Sequence, residues 1–207
     1  MTKKIQAKNK LSNGKQRKID VDQILLSRRQ LFLFETIDDK VAKDLVKKMI
    51  ALDRINHQPI ILHINSPGGC ISDGFSIVDT MKGIQSPVFT FIIGDACSMA
   101  GIIAIAGDFR LMSQNSIWMA HDGSTAPRGK LTDIVHYGKH IEKLQSHMFK
   151  FLREHTKLNE EELAKARIGQ LWLSPEECKE RGIVDKIIEN VERKVQWQRE
   201  AKPTSSK

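Results

Sequence analysis

Gly94-Asp95-Ala96-Cys97-Ser98-Met99-Ala100-Gly101 decides how the chain is read. Before it runs Val88-Phe89-Thr90-Phe91-Ile92-Ile93, a β-branched and aromatic segment of strand length. After it runs Ile102-Ile103-Ala104-Ile105-Ala106-Gly107, a short apolar helix closed by glycine. Ser98 therefore stands at a strand-to-helix turn. Backbone N–H groups at such a turn have no helical partner and can face an anion. A serine held there is placed to attack a carbonyl with an oxyanion hole beside it. The plainer alternative is an N-cap serine.

Length and composition bound the rest. The 207 residues suffice for one domain with its own core. No apolar run approaches the length of a membrane span. The Lys-rich N-terminus lacks the apolar segment of a secretory signal. Cys70, Cys97 and Cys178 are odd in number and scattered, which suits free thiols in the cytoplasm. The net charge of +8 would suggest nucleic acid if it were spread over the chain. It lies in the ends: residues 1–18 hold seven bases and no acid, and residues 192–207 five bases against two acids. The body of the chain is slightly acidic, so a nucleic-acid partner is not expected. The division is a flexible basic arm (1–18), a folded domain (19–191) and a polar tail (192–207) that includes Trp197.

Within the domain, Gln30–Phe34 reads as a strand. Thr36 or Asp38 caps a helix with Val41, Leu45, Met49 and Leu52 at helical spacing. Ile60–Ile64 is a buried strand, and His63 within it reads as a satisfied core or inter-strand histidine. Asn65-Ser66-Pro67-Gly68-Gly69 leads into a helix from about Ser72 to Gly83, the glycines letting the backbone approach whatever lies across the turn. Two short strands come next, Phe109–Met112 and Ser116–Ala120, the second delivering His121. Ile134, Ile141, Leu144, Met148 and Leu152 mark a long helix from about Thr132 to His155. His136 and His140 on it lack an acidic third ligand and read as surface residues, so no metal is expected. Capping boxes start at Asn159 and at Ser174-Pro175, and Ile183–Ile188 reads as the last strand. Alternating apolar strands and helices predict an α/β fold with mostly parallel strands. In such sheets ligands bind at the carboxyl ends of strands, where Gly68-Gly69, Ser98 and His121 all fall.

A glycine pair, a serine and a histidine at three strand ends suit serine hydrolysis on a crotonase-like fold. The chain resembles the proteolytic subunit of the caseinolytic (Clp) protease over roughly residues 14–190. Ile64-Asn65-Ser66-Pro67-Gly68-Gly69 is close to that family's I-N-S-P-G-G, and Asp79-Thr80-Met81 matches its D-T-M. Cys97-Ser98-Met99-Ala100 resembles its A-S-M-G, and Met119-Ala120-His121 its M-I-H. Thr132-Asp133-Ile134, His155-Thr156, Leu173-Ser174, Glu177, Gly182 and Val184-Asp185 come in the family's order.

The resemblance implies Ser98 as nucleophile and His121 as general base, with the N–H groups of Gly69 and Met99 as oxyanion hole. It implies a substrate cleft lined by Gly68, Asp122, Gly123, Ser124 and Thr125, where the family's H-Q-P-L-G-G is changed. It implies two stacked heptameric rings joined by the long handle helix, polypeptide substrates, no cofactor, and an AAA+ unfoldase as feeder. The chain has no phosphate-binding G-x-x-x-x-G-K-[ST] loop, so ATP dependence would come from a partner. The departure is the third triad member: Gln170 stands where the family has aspartate. A glutamine carbonyl can accept the histidine Nδ1–H, but it brings no charge to the imidazolium. In trypsin-type enzymes Asp→Asn at this member costs about 10⁴-fold in kcat. Three outcomes are open. Asp122 or one of Glu160 to Glu162 substitutes, the site works as a slow dyad, or the subunit is a degenerate structural or regulatory member of a ring. An acyl-CoA-acting crotonase-like enzyme is the remaining alternative.

Overall fold

The computed structural model describes residues 20–123 and 128–188, together with the backbone of Lys8–Asn9 and Arg17–Lys18. Those two dipeptides, β1 and β2, pair antiparallel within the basic arm. The rest of the expected arm, and the expected tail with Trp197, lie outside the described residues.

The elements then run α1 (Val21–Ser27), β3 (Gln30–Leu33), α2 (Asp39–Ile55), β4 (Ile60–Ser66), α3 (Ile71–Gly83), β5 (Val88–Cys97) and α4 (Met99–Ile105). They continue as β6 (Phe109–Ser113), β7 (Ile117–His121), α5 (Leu131–His155), α6 (Glu160–Ile168), β8 (Gln170–Leu173), α7 (Pro175–Glu180) and β9 (Lys186–Ile188). Strands β3 to β9 form one seven-stranded sheet. Every pair in it is parallel except β7 with β8. This is the α/β architecture with helical crossovers that the alternation of elements predicts.

Three elements differ from expectation. The short apolar patch Ile24-Leu25-Leu26, to which the sequence pattern assigns no element, lies in helix α1, capped by the Asp20 side chain. Strand β8 has no counterpart in the sequence pattern. Ile183 and Val184 precede β9 instead of opening it: they close the turn after Gly182, with both N–H groups on the Cys178 carbonyl.

Strand β5 organises the sheet. Its first half pairs β6, with Phe89 opposite Phe109 and Ile92 opposite Met112. Its second half pairs β7, with Asp95 opposite Ile117 and Cys97 opposite Met119. On the other edge β4 runs alongside throughout, but the register slips from Ile64↔Ile92 to Ser66↔Ala96. The slip is a bulge in β5 at Gly94, and the Asn65 amide oxygen fills it, accepting from Asp95 N at 3.0 Å. At the fork, Ser113 and Ser116 both donate to the Ile92 carbonyl at 3.1 Å, satisfying it where the ladder divides.

Helix α4 comes directly after β5 and is buried along all seven residues. It is the centre of the core, with Trp118 and Ile92 from the sheet and Phe149 from α5 also covered. Helix α2 contributes Ala42, Leu45, Met49 and Leu52. Only the C-terminal half of α5 is packed: Met148, Phe149, Phe151 and Leu152 are buried, whereas Leu131, Val135 and Tyr137 are exposed. His136 and His140 are on its exposed surface as expected. His63 is an inter-strand histidine, stacked on Phe32 at 4.8 Å and tilted against Phe91. It is not a satisfied one: both ring nitrogens are buried without a hydrogen-bond partner, and burial lowers its pKa.

A polar knot ties the end of α2 to the entry of β5. Asp53 Oδ1 accepts from Gln85 N, Ser86 N, Ser86 Oγ and the His57 ring. Arg29, in a left-handed conformation (φ 60°), donates to Leu52 O, Pro59 O and Ser86 Oγ. Burial by itself would raise the Asp53 pKa, but hydrogen bonds from Ser86 and His57 outweigh it and hold the carboxyl at about 2. A carboxyl depressed on folding contributes stability above its unfolded value, and that stability is lost as pH falls through the folded one. Thermal melts should therefore show Asp53→Asn less stable than wild type at pH 7. The difference should shrink as pH drops from about 4 towards 2. A constant difference over that range would show that the ionised carboxylate is not what the knot uses.

Candidate active site

Ser98 leaves β5 with φ 54° and ψ −124°. A non-glycine residue there is strained by about 1–3 kcal/mol and persists only where its surroundings over-determine it. Here they do. Ser98 N donates to Met119 O at 2.7 Å, anchoring it to β7. Ser98 O accepts from Gly101 N and Ile102 N, starting α4. The alternative of an ordinary N-cap serine fails, since the side chain makes no capping hydrogen bond. Ser98 is on a sharp strand-to-helix elbow and is partly exposed.

The turn after β4 packs directly on this elbow. Gly68 has φ 93°, and a side-chain carbon on it would sit 2.6 Å from Cys97 O, 2.8 Å from Ser98 Cβ and 3.0 Å from Met99 N. Neighbouring polar groups of the turn are spoken for: Gly68 N donates to the buried Ser66 hydroxyl, Gly68 O accepts from Ile37 N, and Cys70 N donates to Ile37 O. Gly69 N has no acceptor among the described residues, and neither does Met99 N at the start of α4. Two unclaimed backbone donors thus belong to the residue after Ser98 and to the residue after the glycine that packs on it.

His121 ends β7, the parallel neighbour of the β5 segment that delivers Ser98. It is partly exposed. Across the antiparallel β7–β8 pair, His121 lies opposite Gln170. Strand β8 thus places the third candidate residue beside the second. Directly opposed residues share a face of the sheet. No Gln170–His121 hydrogen bond forms: Gln170 Oε1 accepts from Trp172 Nε1 at 3.0 Å.

The carboxylates weighed as substitutes are engaged elsewhere. Glu160 binds Arg153, Glu161 binds Lys165, and Glu162 binds Arg181 and caps α6. Asp122 is exposed and accepts from Gly123 N. Gly123 O in turn accepts from Gln145 Nε2 of α5 at 3.0 Å, which fastens the segment after His121 to the long helix. Sequence reasoning misses that contact, since nothing about a glutamine in mid-helix marks a tertiary partner. Ser124 and Thr125 lie outside the described residues. Cys97 beside Ser98 is buried, and burial with Asp95 nearby pushes its thiol up to about 11, so it stays protonated. No group of three or more metal-ligating side chains occurs among the described residues.

The Clp protease family profile matches residues 12–191. The chain belongs to the Clp protease family. The ATP-dependent Clp protease proteolytic subunit of Deinococcus radiodurans is 33% identical over 177 residues, covering 84% of this chain and 87% of that protein. This member of the family is a protease, a hydrolase of peptide bonds. Among the described residues, no helix is long and apolar enough to cross a membrane.

Gly68→Ala tests the contact between turn and elbow. The methyl must displace backbone of residues 97–99, and the positive φ adds strain. The substitution should lower the melting temperature by several degrees, corresponding to about 1–3 kcal/mol, and should abolish Ser98 reactivity. Wild-type reactivity in Gly68→Ala would show that the turn does not shape the site.

Proposed function

We propose that this Clp-family protease cleaves peptides through Ser98 as nucleophile and His121 as general base, with Gly69 N and Met99 N as oxyanion donors. The supporting observation is the strained Ser98 elbow with the Gly68 turn packed on it, and with Gly69 N and Met99 N left without an acceptor among the described residues. Ser98 Oγ attacks the scissile carbonyl carbon while its proton passes to His121 Nε2. The carbonyl oxygen becomes an anion that the two N–H groups stabilise. Collapse expels the amine, which takes the proton from His121, and leaves an acyl-serine. Water then adds with His121 again as base, releasing the acid and restoring the serine. No step draws on a metal or cofactor. Gln170 fills the place of the third member as a neutral group, so it supports the histidine without the charge of a carboxylate.

Gly68, Asp122, Gly123, Ser124 and Thr125 line the peptide cleft in this reading. The chain acts as a subunit of two stacked heptameric rings in the cytoplasm, fed by an AAA+ unfoldase. The exposed apolar half of α5, with Leu131, Val135 and Tyr137, supports a contact between rings. The relative's name, an ATP-dependent proteolytic subunit, supports the ATPase partner.

Intact-mass labelling with a serine-reactive fluorophosphonate tests the chemistry. The wild type should gain one adduct, Ser98→Ala none, and His121→Ala should react about 10²-fold more slowly or worse. An adduct retained in Ser98→Ala would remove Ser98 as the nucleophile.

A further inference from the structure

Gln170 and Trp172 are two residues apart on β8, so both side chains stand on the face that His121 presents from β7. Between and beyond them, Leu171 and Leu173 are buried in the core. Trp172 lies opposite Met119 and is half exposed. Its indole N–H could bind water, yet it donates to Gln170 Oε1 at 3.0 Å.

The two ends of a primary amide are chemically opposite: the carbonyl accepts and the NH₂ donates. For His121 to take a proton at Nε2, its Nδ1 must carry one and give it to an acceptor. An amide that offers NH₂ to Nδ1 stabilises the other tautomer, whose Nε2 already holds the proton and cannot serve as base. The Gln170 carbonyl is held along its own strand by Trp172 and makes no hydrogen bond with His121, so His121 lacks this acceptor while the pair persists.

We propose that Trp172 is a positioning residue of the hydrolytic site: its indole N–H holds the Gln170 carbonyl on β8 and so withholds that acceptor from His121. Activation of Ser98 then requires Gln170 to exchange Trp172 for His121, and the Gln170–Trp172 pair sets the rate of the site. The inference rests on the assignment of Ser98 and His121 as nucleophile and base.

Fluorophosphonate labelling rates of the full-length protein between pH 5 and pH 9 test it. Trp172→Phe keeps an aromatic ring opposite Met119 and removes the indole donor. Labelling at Ser98 should rise about fivefold, the worth of one freed neutral hydrogen bond. The midpoint of the pH profile should move up, because the imidazolium gains an acceptor. In a Gln170→Ala background the Trp172→Phe change should have no further effect. Gln170→Glu keeps the shape and offers an acceptor at both oxygens. It should label at least about tenfold faster than wild type, with Trp172→Phe adding little on top. Trp172→Phe with a wild-type rate and midpoint would overturn the proposal, as would an equal gain in the Gln170→Ala background, or a Gln170→Glu rate no higher than wild type. If Ser98→Ala labels like the wild type, the underlying nucleophile assignment has failed and the role of Trp172 falls with it. A change in packing alone would leave the pH midpoint where it is, and that outcome too would overturn the proposal.

Discussion

The bulge at Gly94 is the constraint on which the site depends. Strand β6 ends at Ser113, and beyond the bulge the neighbour of β5 on that edge is β7. Past the bulge the last three residues of β5 pair with β7, and the elbow and His121 come out at adjacent strand ends. The bulge is stabilised from β4, where the Asn65 amide oxygen takes the space that a side chain on residue 94 would need. One asparagine therefore couples the glycine turn, which begins just beyond it on β4, to the serine elbow on β5. Ser98 and the unclaimed N–H groups of Gly69 and Met99 thus come from the ends of one pair of strands.

The strained backbone at Ser98 is offset by the burial of helix α4. Strain there is about 1–3 kcal/mol. Ile102, Ile103 and Ile105 on α4 are each almost wholly buried, and burial of one such side chain is worth about 1.5–3 kcal/mol. The apolar helix thus holds the serine in a conformation it would leave if free. The same turn leaves Cys97 behind in the strand. The residue before the elbow still belongs to the strand and is buried, where its thiol stays protonated. Adjacent residues of similar size are assigned opposite fates by one turn of the backbone.

Much of this was legible in the sequence, for physical reasons that differ by element. The strand-to-helix turn at Ser98 was readable because a β-branched run changes to a compact apolar helix there. The parallel sheet was readable from the alternation of strands and helices, and Asp38, Asn159 and Ser174 announced their helices by capping chemistry. Strand β8 was not readable. Gln170–Leu173 is four residues long, and its alternation of exposed and buried side chains is too short to register as a period. The fork in β5 was hidden for another reason. Gly94 inside a strand pattern is a bulge signal, but the neighbour that each half pairs depends on residues far along the chain. His63 was placed correctly between strands, whereas its lack of partners comes from Phe32 and Phe91, which no local pattern reveals.

Strand β8 also explains why the third position can change type without dismantling the site. Its pairing with β7 is the single antiparallel pair of the seven-stranded sheet, and antiparallel pairing sets residues directly across from one another. The position opposite His121 is therefore fixed by main-chain register and by the buried Leu171 and Leu173, not by the side chain that occupies it. Gln170 is exposed, so its side chain is not part of the core. It differs from aspartate in charge and in having one more methylene, so its amide can lie along its own strand or reach across to the next. The side chain at this position therefore decides the orientation and charge of the group opposite His121, while the elbow, the glycine turn and the histidine are held by other contacts.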